Sequence, residues 1–107
     1  MFPQTVFPDS ARVDSQGQLV IGGCNSLDLA SRYGTPVYIL DEATLRNRCR
    51  SFIREFQGRH GECRVSYACK AYINPALARI FQEEGLGLDV VSGGELAIAR
   101  NVGFPME

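Results

Sequence analysis

Lys70 ends a short strand-like run, Arg64-Val65-Ser66-Tyr67-Ala68-Cys69-Lys70, and a helix-start signal, Asn74-Pro75, comes soon after it. A lysine at the C-terminal edge of a parallel strand points into the ring of loops where barrel enzymes carry out their chemistry. Its amine can condense with an aldehyde, forming an imine and releasing water, but only while it is neutral. Burial among apolar groups, or a nearby cation, moves a lysine towards that state. Val65, Tyr67, Ala68 and Cys69 give Lys70 mostly apolar neighbours in sequence. A solvated lysine at a strand end accounts for the same residues, and the local sequence taken alone favours that simpler reading.

Other reactive side chains are fewer and weaker. Ser92-Gly93-Gly94-Glu95 has the spacing of a capping box, in which the serine and glutamate satisfy each other's backbone donors at a helix start. The Gly93-Gly94 pair beside that start is at most a weak sign of a phosphate cradle. His60, between Arg59 and Gly61, is expected in a loop at the surface and not as a catalytic base. Cysteines 24, 49, 63 and 69 contain no C-x-x-C pair and share the chain with a single histidine, so no zinc site is expected. They are expected to be reduced thiols that pack as small apolar groups.

The elements that must position Lys70 are set by periodicity. Residues 1–17 are expected to be irregular, Gln18–Ile21 to form a strand ended by Gly22-Gly23, and Ser26–Tyr33 to form a turn or two of helix stopped by Gly34. Pro36 opens a second expected strand, Val37–Leu40. Asp41 then caps a helix with Leu45, Cys49, Phe52, Ile53 and Phe56 on one apolar face, ended by Gly58 and Gly61. Arg46, Arg48, Arg50 and Arg54 lie mostly off that face. With Glu42 and Glu55 interrupting them, they read as a solvated surface and not as a nucleic-acid patch.

Two similar units come next. The first is a strand over 64–69 and a helix over 75–84, with Leu77, Ile80 and Phe81 as its buried stripe and Gly85 as its stop. The second is a strand over 88–91 and a helix over 95–102, stopped by Gly103. Strands alternating with helices at this spacing imply an α/β fold with a parallel sheet and crossover connections. A closed barrel needs about eight such units in roughly 250 residues. The chain is therefore expected to be the front of a longer protein, or a truncated copy of one.

Composition agrees with a globular, intracellular protein. Of 107 residues, 45% are hydrophobic and 21% charged, and the formal net charge is -1. That balance offers no general attraction to nucleic acid or to an anionic membrane. No apolar run reaches the roughly 18–20 residues of a membrane span, and the start lacks the pattern of a secretory signal.

Three stretches together resemble a known family. Tyr67-Ala68-Cys69-Lys70-Ala71, then Asn74-Pro75, then Gly85-Leu86-Gly87-Leu88-Asp89-Val90-Val91-Ser92-Gly93-Gly94-Glu95-Leu96 are similar to the fold-type III pyridoxal-phosphate decarboxylases, within them most of all to the diaminopimelate decarboxylase branch. The family pattern is a Tyr-Ala-x-Lys-Ala strand end, an Asn-Pro helix start and a Gly-x-Asp-Val-x-Ser-x-x-Glu-Leu segment one βα unit on. The resemblance covers about residues 36–105. It implies the N-terminal portion of a pyridoxal-phosphate-binding (β/α)8 barrel over 36–107, preceded by short strands of a β domain over 1–35. It gives Lys70 the Schiff base with pyridoxal 5'-phosphate, sets Ala68 on the floor beside the cofactor ring, and puts Asp89 near the cofactor and its lysine. Asp89 reads equally well as a strand carboxylate holding a neighbour. Glu95 matches a family glutamate, but its capping role is preferred. The implied activity of an intact protein is decarboxylation of meso-2,6-diaminopimelate to L-lysine by a cytoplasmic homodimer acting on a small amino acid, the piece alone being inactive. A related ornithine or arginine decarboxylase, or a non-catalytic remnant, are the alternatives. Tyr72-Ile73 departs from the asparagine-containing loop of many relatives.

Overall fold

The computed structural model describes residues 6–106; residues 1–5, in the expected irregular start, and Glu107 lie outside the described residues. The chain divides into two compact units, one up to Asn47 and one from Arg48 on.

The first unit is a small antiparallel meander of β1 (Arg12–Val13), β2 (Leu19–Ile21) and β3 (Cys24–Asn25) that leads into helix α1 (Ser26–Tyr33). Arg12 pairs with Val20 and Val13 with Leu19; Val20 pairs with Asn25 and Ile21 with Cys24. Strand β1 falls in a stretch expected to be irregular. Two residues are too few for an alternation pattern, and the turn chemistry carries the signal instead. Asp14 Oδ1 accepts from the backbone N–H groups of Gln16 and Gln18, both at 2.9 Å, and Gly17 takes φ 77°. Asn25 caps α1 by accepting from Leu27 N at 2.8 Å, and Gly34 ends it at φ 82°.

Residues 37–40 do not form the expected strand. No neighbouring strand supplies a ladder there among the described residues, and Val37, Tyr38 and Leu40 are exposed. A polar hub stands directly after them. The buried Asp41 carboxylate accepts from Ser10 Oγ at 2.9 Å, from Thr44 N at 3.3 Å and from Thr44 Oγ1, while Ser10 Oγ itself accepts from Gly22 N at 2.8 Å. The Thr44 hydroxyl contributes most to holding the Asp41 carboxyl below its usual 3.8; burial opposes it and the Ser10 hydroxyl assists. Gly22 has φ 58°, and a Cβ there would sit 3.2 Å from Asp41 Oδ1, so both backbone and space require glycine.

Asp41 introduces helix α2 (Glu42–His60), which runs through Gly58 and stops only at Gly61, φ 70°. A glycine in mid-helix costs about 0.5–1 kcal/mol but does not break the ladder; a left-handed residue does. His60 is thus the last helical residue and not a loop residue. The expected apolar face is covered only in part among the described residues. Cys49 is buried, while Phe52 and Phe56 remain exposed. The arginines pair with acids: Arg46 with Glu42 at 2.8 Å, and Arg50 with both carboxylate oxygens of Glu84, at 2.6 and 2.8 Å.

The second unit carries two βα repeats. Strand β4 (Ser66–Ala68) leads to α3 (Pro75–Glu83), and β5 (Gly87–Asp89) leads to α4 (Gly93–Asn101). The two strands are parallel, with Ser66 opposite Gly87, Tyr67 opposite Leu88 and Ala68 opposite Asp89. Asn74 Oδ1 accepts from Leu77 N at 2.8 Å and Pro75 fills the first helical position, as expected. Leu77, Ala78 and Phe81 are buried; Ile80 is half-buried, so the small Ala78 takes the deepest place instead. Both helices end alike. Leu86 N donates to Phe81 O at 2.9 Å past Gly85, and Phe104 N donates to Ala99 O at 3.0 Å past Gly103. This repeated left-handed stop turns each helix back towards the next strand position. Cys69, Leu86 and Ala99 complete the core with the α3 residues.

Candidate functional site

Parallel pairing decides which residues meet at the ends of β4 and β5. Ala68 and Asp89 are register partners, so they stand side by side at the C-terminal edge of the sheet. Cys69 N donates to Asp89 O at 3.0 Å, which carries the pairing one residue further. The chain then turns. Ala71 N donates to Ala68 O at 3.2 Å, and Lys70 stands exposed on that turn. Among the described residues its amine has no hydrogen-bond or ion-pair partner, Asp89 included. Lys70, Ala68 and Asp89 are thus brought to one edge, with Lys70 free to reach and Asp89 exposed beside Ala68.

The neighbouring thiol is not poised to react. Cys69 is buried, and burial first, then the negative charges of Glu95 and Asp89, push it above its usual 9.0. It is therefore a neutral thiol and a poor nucleophile near pH 7. Tyr67 faces the other way. Its ring stacks on Phe81 of α3, with centroids 4.1 Å apart, and its hydroxyl donates to Tyr72 O at 2.7 Å. Burial raises the phenol above its usual 10.0, so it stays protonated as a donor; the Cys69 charge adds to the rise and the backbone of Tyr72 opposes it.

Glu95 caps its helix, but not in the reciprocal way expected. Ser92 Oγ accepts from Glu95 N at 3.2 Å, while Glu95 Oε2 accepts from Val91 N at 2.6 Å and not from Ser92 N. A Cβ at Gly93 would meet nothing within 4 Å, so that glycine is not forced by a close approach. No cluster of three His, Cys, Asp or Glu suited to a metal exists among the described residues. A cavity of about 390 Å³ runs along β5, lined by Arg64, Ser66, Leu88, Val90, Leu96 and Phe104 among others; it includes none of Lys70, Ala68 or Asp89.

Two features of the site escape the pattern reading. Lys70 is the sole lysine of the chain; all ten other cationic side chains are arginine. A simple count finds this. The Tyr67 hydrogen bond to a backbone carbonyl leaves no mark in the sequence.

The sequence model described as the pyridoxal binding domain of pyridoxal-dependent decarboxylases matches residues 42–107. The chain belongs to this family. Among curated relatives of the chain, the diaminopimelate decarboxylase of Methanothermobacter thermautotrophicus is 46% identical over 99 residues, which is 92% of the chain and 23% of the relative. That of Bacillus subtilis is 46% identical over 98 residues, covering 92% and 22%. The chain thus spans under a quarter of the length of these relatives. A crystal structure of diaminopimelate decarboxylase from M. jannaschii, solved in complex with L-lysine, superposes with a TM-score of 0.76 at 34% identity, covering 91% of the chain and 23% of that structure. The expected fold, α/β and the N-terminal portion of a pyridoxal-binding barrel, is borne out by this likeness. No helix among the described residues is long and apolar enough to cross a membrane.

Proposed function

We propose that this chain supplies the cofactor-anchoring edge of a decarboxylase that converts meso-2,6-diaminopimelate to L-lysine with pyridoxal 5'-phosphate. The observation that carries the reading is Lys70: the sole lysine, exposed and without a partner among the described residues, at the end of a parallel strand beside Ala68 and Asp89. These residues fit the group. A free amine within reach of solvent can link covalently to its aldehyde carbon, releasing water. Ala68, with one methyl, leaves room for a flat ring at the sheet edge. Asp89, with no ion-pair partner among the described residues, is available to a positive charge on the bound group or on Lys70. When bound, pyridoxal phosphate supplies a ring that takes up the electron pair left as carbon dioxide departs. Lys70 holds it and orients it, and Cys69, kept protonated, does not compete for the aldehyde.

The substrate class is taken from the relatives, all named diaminopimelate decarboxylase among those compared above. In the same reading, residues 36–107 form the start of the barrel and 1–35 join a β domain. The whole enzyme is a cytoplasmic homodimer that binds a small amino acid and neither nucleic acid nor membrane.

The test is covalent. Incubation with pyridoxal phosphate, borohydride reduction and peptide mapping are expected to place the label on Lys70, and Lys70→Ala to remove it. Since the other amine of the chain is its N-terminus, the two products are separable by mass of the cleaved peptides. Label confined to the N-terminus would sink the assignment.

A further inference from the structure

We infer that Tyr67 is the positioning residue for Lys70, fixing the turn that carries the amine through its hydroxyl. The inference rests on the assignment of Lys70 above, and it adds a residue on the opposite face of the strand.

Neighbouring residues of a strand project to opposite faces. Ala68 faces the edge shared with Asp89, whereas Tyr67 stacks on Phe81 in the helix layer. Tyr67 therefore has no path to a group bound against Ala68, and can act only through the loop. The loop is where its hydroxyl goes. It donates to Tyr72 O at 2.7 Å, bridging a residue before Lys70 to one after it. The turn bond from Ala71 N to Ala68 O, at 3.2 Å, lies inside that bridge. On the far side, Asn74 Nδ2 donates to Tyr72 Oη at 3.3 Å while Asn74 Oδ1 caps α3. Lys70 thus sits at the apex of a loop closed beneath it by a phenol that is itself clamped on Phe81. The backbone of the apex is held, and its side chain has no bond among the described residues.

A phenylalanine at this position keeps the stack and deletes the bridge. In the full chain, Tyr67→Phe is expected to raise hydrogen exchange of the peptide covering 69–74 and to slow labelling of Lys70 by pyridoxal phosphate by about three- to tenfold, the worth of one hydrogen bond. The visible circular dichroism of the bound chromophore, per group attached, is expected to fall as well, because it depends on a fixed orientation of the amine. Tyr38→Phe, which removes a hydroxyl from an almost fully exposed tyrosine, is expected to change none of these. Unchanged exchange and chromophore signal in Tyr67→Phe overturns the positioning role even when Lys70 is labelled. Loss of far-UV helix signal in step with loss of labelling also overturns it, since the hydroxyl would then hold the fold and not the turn. Failure of the unsubstituted chain to label Lys70, with the exchange effect intact, overturns the Lys70 assignment and so separates the two failures.

Discussion

The unit up to Asn47 adds a carboxylate hub to a few buried apolar residues, Ala11, Val20 and Ile21, whereas the unit from Arg48 on rests mainly on apolar side chains. In the first, Asp41 gathers Ser10 and Thr44, and through Ser10 the backbone of Gly22, into one hydrogen-bonded hub. Helix α1 contributes no buried residue. In the second, Cys49, Cys69, Leu77, Ala78, Phe81, Leu86 and Ala99 are buried, and apart from the arginine ion pairs along α2 the described polar contacts lie mainly at helix ends and at the strand edge. A polar hub holds a short, irregular chain because each directed bond fixes one loop. An apolar core holds a periodic chain because burial is undirected and rewards any element that repeats. The proposed anchoring residue stands on the second kind. Lys70 sits at the rim of a packed βα unit, where rigid elements hold the turn and no packing constrains the amine.

The sharpest way to break that picture is to remove the amine. Lys70→Ala is expected to abolish labelling by pyridoxal phosphate while leaving the thermal midpoint almost unchanged, because exposed positions usually shift stability by less than about 0.5 kcal/mol. A large fall in stability would mean that the amine is part of the packing. Phe81→Ala works from the opposite side. It removes a buried ring at 2% exposure together with the stack on Tyr67, and is expected to cost about 3–5 kcal/mol by urea denaturation. Loss of that size with the amine still present would show that the core, and not the site residue, carries the unit.

Asp41→Ala tests the polar hub. The helix loses its cap, and Ser10 Oγ and Thr44 lose an acceptor. A cost of about 1–2 kcal/mol is expected, smaller than for Phe81 because water replaces part of what is lost. A cost equal to that of Phe81→Ala would erase the contrast between the units.

The same contrast decides how much the sequence discloses. The βα unit was legible: Asn74-Pro75 sets a helix start by local chemistry, Gly85 and Gly103 set the stops, and alternating elements force parallel pairing. The resemblance in Tyr67-Ala68-Cys69-Lys70-Ala71 then points at the edge where Ala68 meets Asp89. In the first unit the Gln18–Ile21 strand and Asp41 as a cap were legible, but Val37–Leu40 was not a strand. A short apolar run states a preference, while a strand exists only where another chain segment answers its hydrogen bonds. Phe52 and Phe56 show the same limit on a helix, since period predicts a face but not what covers it. Gly58 and Gly61 look alike as letters, and only φ separates the one that ends α2. The Tyr67 bridge is less legible still, because a hydroxyl reaching a main-chain carbonyl leaves no spacing to read.

The smallest expected effect separates the units by pH. Asp41 is held below 3.8 in the folded chain, so its contribution is complete above 3.8 and is lost as pH falls through the lower folded value. Cys69 and Tyr67 are raised above 9.0 and 10.0, so theirs are complete below those values and are lost as pH rises through the higher folded ones. A plot of thermal midpoint against pH should therefore fall at both ends for different reasons. Asp41→Asn is expected to flatten the acid limb and leave the alkaline limb in place; Tyr67→Phe is expected to flatten part of the alkaline limb and leave the acid one. If either substitution moved both limbs together, the two units would share one set of titrating supports, and a polar hub could not be told from an apolar core by what each does with its protons.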